Sequence, residues 1–355
     1  MVNDGVFWYK RILAMAVVAL SMALSIILIN KNVQSEIVET GNDGTVVYPC
    51  GFPIGIYLET EGVLVIGVDT VTGTDGINYE PSHGIVREGD YIVAINDINV
   101  SAKSQLSFLI QKYGKEDVVL TLRRDGKCID VKLKPVCVGE NQYKLGIWVR
   151  DDSQGIGTMT FITNNGQFGA LGHGISDTDT KELLDSENGL LYGAKIWGIT
   201  KGRSGVAGSL CGSINYEDDN IIGSINANTN VGIYGKIEDV STINDIIRKY
   251  DLEPMEICKR RDVKTGKAYI LACVTGDVKE YEIEITELNT YSDSNKGIVL
   301  KVTDEELLSL TGGIVQGMSG SPIVQDGKIV GAVTHVFLRD SKMGYGIFIE
   351  DMFGH

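Results

Sequence analysis

The sequence predicts a mostly β protein with more than one domain, on three observations. Glycine is abundant, at 43 of 355 residues, against a usual share of about 7%. Proline is scarce, at 6 residues, so the chain has tight turns without many helix stops. Short segments alternating apolar and polar residues recur between Asn-Gly and Asp-Gly pairs, which are hairpin signals. A chain of 355 residues that is 43% hydrophobic is long enough for two or three buried cores.

The N-terminal end reads differently. Residues 12–29 form one apolar run broken only by Ser21 and Ser25, with Lys10 and Arg11 before it and Lys31 after it. At about 1.5 Å per residue the run spans a bilayer core of about 30 Å. It shows no polar face, and the cationic flank before it favours a cytoplasmic N-terminus. No small-residue cleavage site follows. The expectation is a cytoplasmic N-terminus over 1–11, a transmembrane signal anchor over 12–29, a polar linker over 30–46 and an exported remainder. The net charge of −15 and the lack of clustered Lys and Arg argue against a nucleic-acid partner. Cys50, Cys128, Cys137, Cys211, Cys258 and Cys273 contain no CxxC pair, so no metal site is expected. Export permits disulfides, but the spacing selects no pairing.

A first folded module is expected over 47–136. Alternation in Tyr91–Ile95 and in residues 118–122 predicts strands, and Asp125-Gly126 predicts the turn of a hairpin. Ser101 is the expected N-cap of a helix that buries Leu106, Leu109 and Ile110. Arg87-Glu88-Gly89-Asp90, leading into Ile92 and then Ile95-Asn96, resembles the middle strand of a PDZ domain and its entry turn. In that resemblance Gly51, Phe52, Ile54, Gly55 and Ile56 stand where a carboxylate-binding loop would present N–H groups to a peptide end. Pro53 removes one such donor, which makes an internal or tethered segment as suitable a ligand as a C-terminus. His83 reads as a solvated loop residue.

The second module, over 140–355, is expected to be a sandwich or barrel. Strand patterns occur at residues 157–162, 194–199, 208–214, 221–225, 281–285 and 297–302, with a helix at Val240–Tyr250. His173 lies between Gly172 and Gly174, which leave its imidazole unencumbered. His335 sits in an apolar strand and reads as structural, and His355 is the last residue. Near the C-terminus, Gly317-Met318-Ser319-Gly320-Ser321-Pro322 precedes two apolar strands joined at Asp326-Gly327. A serine nucleophile needs a base in hydrogen-bond reach, a group that fixes the base's tautomer, and donors facing the developing oxyanion. The N–H groups of Gly317 and Ser319 suit the last role. Asp177, Asp179, Asp304 and Asp326 are all candidates for the third group on chemistry alone. No cofactor is required.

The segment GMSGSPIVQDGKIVGAV resembles the nucleophile loop and hairpin of chymotrypsin-like peptidases, in which the oxyanion donors favour Ser319 over Ser321. The longer strings GALGHGISD, VLKVTDEELLSLTGGIVQGMSGSPIVQDGKIVGAVTHVF and GYGIFIEDM resemble the SpoIVB peptidase family, sporulation serine proteases of endospore-forming bacteria. The resemblance implies a chymotrypsin-like β-barrel domain behind the anchor and PDZ domain. It assigns His173 as general base, Asp304 as orienting carboxylate and Ser319 as nucleophile. It also implies a location at the inner forespore membrane, facing the intermembrane space. The implied partner is a regulatory subunit of a membrane-embedded processing protease complex, whose cleavage triggers activation of the late mother-cell sigma factor K. Self-cleavage of the N-terminal segment accompanies this. Two other readings remain at this level: a PDZ adaptor with a silent protease-like domain, and a general exported quality-control protease.

Overall fold

The computed structural model describes residues 45–353 apart from Glu187, Ser204 and residues 292–294. The expected anchor at 12–29, most of the linker, and His355 lie outside the described residues. Among the described residues no helix is long and apolar enough to cross a membrane.

Two 16-residue strands, Pro53–Val68 and Ile147–Ile162, organise the fold. They run antiparallel from Val68 opposite Ile147 to Pro53 opposite Thr158. Register shifts between Trp148 and Val149 and between Arg150 and Asp152 bend the pair. The two ends of each strand therefore enter different cores.

At one end, Val63 and Leu64 pair with Ile92 and Tyr91, and the sheet continues through Val118–Arg124 to Lys127–Leu133. The Lys103–Tyr113 helix closes this module by burying Leu106 and Leu109 against Val65, Ile92 and Leu120. Ala102, not Ser101, occupies the helix's cap position and makes no side-chain cap bond. Ser101 instead donates its N–H to Gln105 Oε1 at 3.2 Å, so the first turn is closed from inside the helix.

At the other end, the two long strands join Asn188–Thr200, Ile221–Thr229, Gly232–Lys236 and Gln167–Ala170 in a closed antiparallel circuit. Its core holds Phe52, Ile54, Ile56, Met159, Phe168 and Ile225, and the Val240–Tyr250 helix adds Ile243 and Ile246. A second closed circuit links Gly266–Cys273, Val278–Leu288, Ile298–Val302, Met343–Phe348, Lys328–Val336 and Pro322–Gln325. Strict alternation makes its strands: Tyr281, Ile283 and Ile285 point inward, with Glu280 and Glu284 outside. The described chain is thus two six-stranded barrels and a smaller module that shares two strands with the first barrel.

This sharing corrects the loop expected at Gly51, Phe52, Ile54, Gly55 and Ile56. Phe52, Ile54 and Ile56 are at most 2% exposed. Residues 54–56 are paired on both sides, by Gly155–Gly157 and by Leu191–Gly193, so no row of N–H groups is open to a ligand. A Cβ on Gly51 would lie 2.6 Å from the Leu271 carbonyl oxygen, and one on Gly55 would lie 2.5 Å from Ile214. Close barrel packing, not peptide capture, accounts for these glycines. All six cysteines are free, with Cys50, Cys258 and Cys273 buried.

Candidate active site

The turn that carries Ser319 follows the Glu305–Thr311 helix and leads into the Pro322–Gln325 strand. Its shape depends on glycines at positive φ: Gly317 at +97° and Gly320 at +97°. A Cβ on Gly320 would lie 2.2 Å from the Thr158 carbonyl oxygen, so only glycine lets the turn lie against the first barrel. Thr158 holds the turn twice, donating Oγ1–H to the Gly317 carbonyl at 2.6 Å and N–H to the Ser319 carbonyl at 3.2 Å. Met318, Gly320 and Ser321 all donate their N–H groups to backbone carbonyls within the second barrel. Among the described residues, the N–H groups of Gly317 and Ser319 donate to none. They are the pair that the sequence singled out as oxyanion donors.

Ser319 Oγ donates to the Thr334 carbonyl at 2.7 Å. Ser321 is fully buried, and its hydroxyl has no partner among the described residues. The turn at Gly320, at φ +97°, separates the two serines, so that Ser321 is buried in the barrel while Ser319 stays half-buried at the cleft.

His173 reaches the same cleft from the first barrel. Leu171 and Gly172, at φ 71° and 68°, turn the chain out of the Gln167–Ala170 strand. A carbonyl can only accept, so the 2.8 Å contact from His173 Nδ1 to the Gly174 carbonyl puts the proton on Nδ1. Nε2 then carries the lone pair required of a base. Burial pushes the His173 pKa down, partly offset by the Gly174 bond, which favours the charged ring.

His335, expected to be structural, lines the cleft too. Its ring centroid is 5.1 Å from that of His173, with 40° between the planes. Burial, then the neighbouring His173 and Lys296, lower its pKa to about 4. Its buried Nδ1 has no partner among the described residues. Its strand is buried from Ile329 to Thr334 and half-exposed at both His335 and Val336, where it leaves the core.

The cleft has a volume of about 440 Å³, and among the described residues no Asp, Glu, Lys or Arg lines it. Ile156, Ile175, Ala207, Ile314, Val336 and Leu338 supply its apolar wall. Both imidazoles are held neutral here, which ties stability to pH. An unfolded chain takes up the His335 proton near the ordinary imidazole value of about 6.5, whereas the folded chain resists it until about 4. Stability should therefore fall as pH drops from about 6.5 toward 4. Melting temperatures measured at pH 7 and pH 5 check this, and a His335→Gln variant should show a weaker dependence.

The structure does not bring Asp304 to His173. Asp304 is the N-cap of the Glu305–Thr311 helix, where Oδ1 accepts from Leu307 N–H at 2.8 Å and Oδ2 from Glu282 N–H at 3.4 Å. Such a cap is worth about 1 kcal/mol, and this helix leads directly into the turn that carries Ser319. The other carboxylates are also occupied elsewhere. Asp177 pairs with Arg150 and accepts the N–H groups of Asp179 and Thr180, and Asp179 binds Arg150 at 2.8 Å. Asp326 takes the positive φ of its hairpin turn.

A serine and an imidazole facing one cleft between two closed barrels, beside two open N–H groups, set the class: the protein is a serine peptidase. The profile of the SpoIVB peptidase S55 family matches residues 141–353, and the chain belongs to that family. Among solved structures, the active form of the Rv3671c protease from M. tuberculosis is similar at 14% identity, covering 57% of this chain and 72% of that one, with a TM-score of 0.33. The inactive form gives 14% identity, 56% and 81% coverage and a TM-score of 0.30. The HtrA-type protease AlgW with decapeptide gives 10% identity, 57% and 51% coverage and a TM-score of 0.30. No curated protein matches the chain.

Proposed function

We propose that this serine peptidase is a chymotrypsin-like endopeptidase of sporulation, held at the inner forespore membrane by residues 12–29 and acting in the intermembrane space. Its substrate is a regulatory subunit of a membrane-embedded processing complex, whose cleavage leads to activation of sigma factor K, and it also cleaves its own N-terminal segment. The observation that carries the reading is Ser319 and His173 on one cleft beside the free N–H groups of Gly317 and Ser319. Rotation about the Ser319 Cα–Cβ bond moves the hydroxyl from the Thr334 carbonyl toward Nε2. The serine oxygen then attacks the scissile carbonyl as His173 takes its proton, and the two N–H groups receive the oxyanion. His173 next protonates the leaving amine, and water releases the acyl group by the reverse path.

Delivery of the target is assigned to the first module, read as a PDZ-like domain, through a groove other than the loop first expected. A depression of about 830 Å³ lies between the Lys103–Tyr113 helix and residues 144–149. Residues 147–149 pair with the Pro53–Val68 strand on one side, and their other edge faces this groove, with Trp148 62% exposed. An extended segment adding as a strand there gains main-chain hydrogen bonds, and tethering of both chains to one membrane raises its effective concentration. Ser107, exposed on the helix, lines the groove. With the full chain and a membrane target in vesicles, Ser107→Trp should slow target cleavage about tenfold or more and leave labelling of Ser319 by a small phosphonate unchanged. Undiminished target cleavage in that variant would remove the groove from delivery, and absence of any target cleavage by the unaltered chain would remove the sporulation reading.

A further inference from the structure

The two N–H groups assigned to the oxyanion are held in different ways. The Ser319 N–H shares its peptide unit with the Met318 carbonyl, which accepts Ser321 N–H at 3.0 Å, so the turn itself fixes that donor. The Gly317 N–H shares its unit with the Gln316 carbonyl, and among the described residues no N–H of the turn reaches that carbonyl. It accepts instead from Leu210 N–H at 2.8 Å, while the Gln316 N–H donates to the Gly208 carbonyl at 2.8 Å. We propose that Leu210 is a positioning residue for the oxyanion hole, its backbone N–H holding the Gln316–Gly317 peptide unit with the Gly317 N–H turned toward the cleft. A peptide unit is planar and trans, with C=O and N–H opposed, so a bond that fixes the carbonyl on one side fixes the N–H on the other. Gly317, at φ +97°, has the backbone freedom that would otherwise let this unit turn over.

Leu210 belongs to the hairpin of Asn188–Thr200 and Ser209–Ile214, which is rooted in the first barrel where residues 188–193 pair with the Pro53–Val68 strand. The far end of the hairpin crosses to the second barrel. There Gly202 N–H donates to the Thr311 carbonyl at 2.9 Å and Gly205 N–H to the Leu338 carbonyl at 2.8 Å. The side chains of Ile199 and Leu210 pack on the second core. Contact with the turn is close: a Cβ on Gly317 would lie 3.1 Å from Leu210 Cβ, and one on Gly208 would lie 2.7 Å from Val315 Cγ1. Within the hairpin Leu210 stands opposite Ile199, but its N–H is directed outward to Gln316. An oxyanion donor of the second barrel is thus set by a strand of the first.

The inference rests on Gly317 as an oxyanion donor, and the test separates the two. Cleavage of a small peptide by the full chain is measured beside binding of the matching peptide aldehyde and peptide alcohol. In the aldehyde complex Ser319 Oγ adds to the aldehyde carbon, its proton passes to His173, and the aldehyde oxygen becomes the oxyanion; the alcohol forms no such bond. Leu210→Pro removes the N–H at an edge position, where proline is tolerated. It should lower kcat about 10²- to 10³-fold with little change in KM. Aldehyde affinity should fall by the same factor as kcat/KM, while alcohol affinity and the acid limb of kcat stay in place. Leu210→Ala keeps the N–H and should keep most of kcat. A fold that is merely loosened would not separate aldehyde from alcohol. Where Leu210→Pro fails to fold, Gly205→Pro decides. It removes the bond from the exposed hairpin end to Leu338, and proline cannot take the φ of +84° found there. Its kcat and aldehyde affinity should fall together by about tenfold, the equivalent of one hydrogen bond. The proposal is overturned if Leu210→Pro keeps kcat, if it raises KM alone, or if Leu210→Ala is equally impaired. Full kcat in Gly205→Pro overturns it where that variant decides. Aldehyde bound by the unaltered chain no more tightly than the alcohol would remove the oxyanion reading, and the inference with it.

Discussion

Ser319→Ala is expected to remove peptide cleavage by about a million-fold and leave the fold in place. Ser319 is half-buried at the cleft, and its hydroxyl makes one hydrogen bond, to the Thr334 carbonyl at 2.7 Å. Its loss costs the second barrel little. Ser321→Ala should behave in the opposite sense. Ser321 is fully buried with an unpartnered hydroxyl, a group that costs about 1 to 3 kcal/mol to bury unsatisfied. Removing it should therefore retain activity and raise the melting temperature. Cleavage rates and melting curves of the two variants side by side check both halves. An active Ser319→Ala would mean that the nucleophile lies outside this turn.

His173→Ala should lose activity on a similar scale, since nucleophile and base act as one unit and removal of either disables both. The unaltered enzyme offers a second check on the same residue. The base works only when neutral, and burial holds the His173 pKa below its ordinary value. Activity should accordingly persist below about pH 6.5, the usual imidazole midpoint, and fall away at more acid pH. An acid limb centred above that value, or activity in His173→Ala, would contradict the assignment.

Much of this site was legible in the sequence because the chemistry demands local backbone features that glycine betrays. Gly317 and Gly320 mark the turn at Ser319, and Gly172 and Gly174 mark the loop at His173. What was not legible depends on contacts between distant strands. The run from Gly51 to Val68 reads as part of one domain, with a loop at its start, and its composition does not say that its two halves fill two different cores. Leu210 and Gln316 are far apart in the sequence, and only the docking of a hairpin from the first barrel brings the N–H of one to the carbonyl of the other. Asp304 carried a local signal for its observed place. An aspartate followed by Glu305 and Glu306 and then by apolar residues is the pattern of a helix start, where the side chain accepts an N–H and acidic groups meet the positive end of the helix. Resemblance pointed to a catalytic carboxylate there, and helix capping accounts for the same residue. His335 carried no such signal, since the apolar run before it is buried without alternation and only the end of the strand leaves the core.

The proposed function stands on Ser319 as the nucleophile of a cleft assembled from both barrels. It is tested most directly by treating the full chain with a serine-directed phosphonate at neutral pH and mapping the modified peptide. The label should appear on Ser319 alone, fail to form in Ser319→Ala, and form far more slowly in His173→Ala. A label on Ser321, or cleavage activity that survives stoichiometric modification of Ser319, would contradict the account.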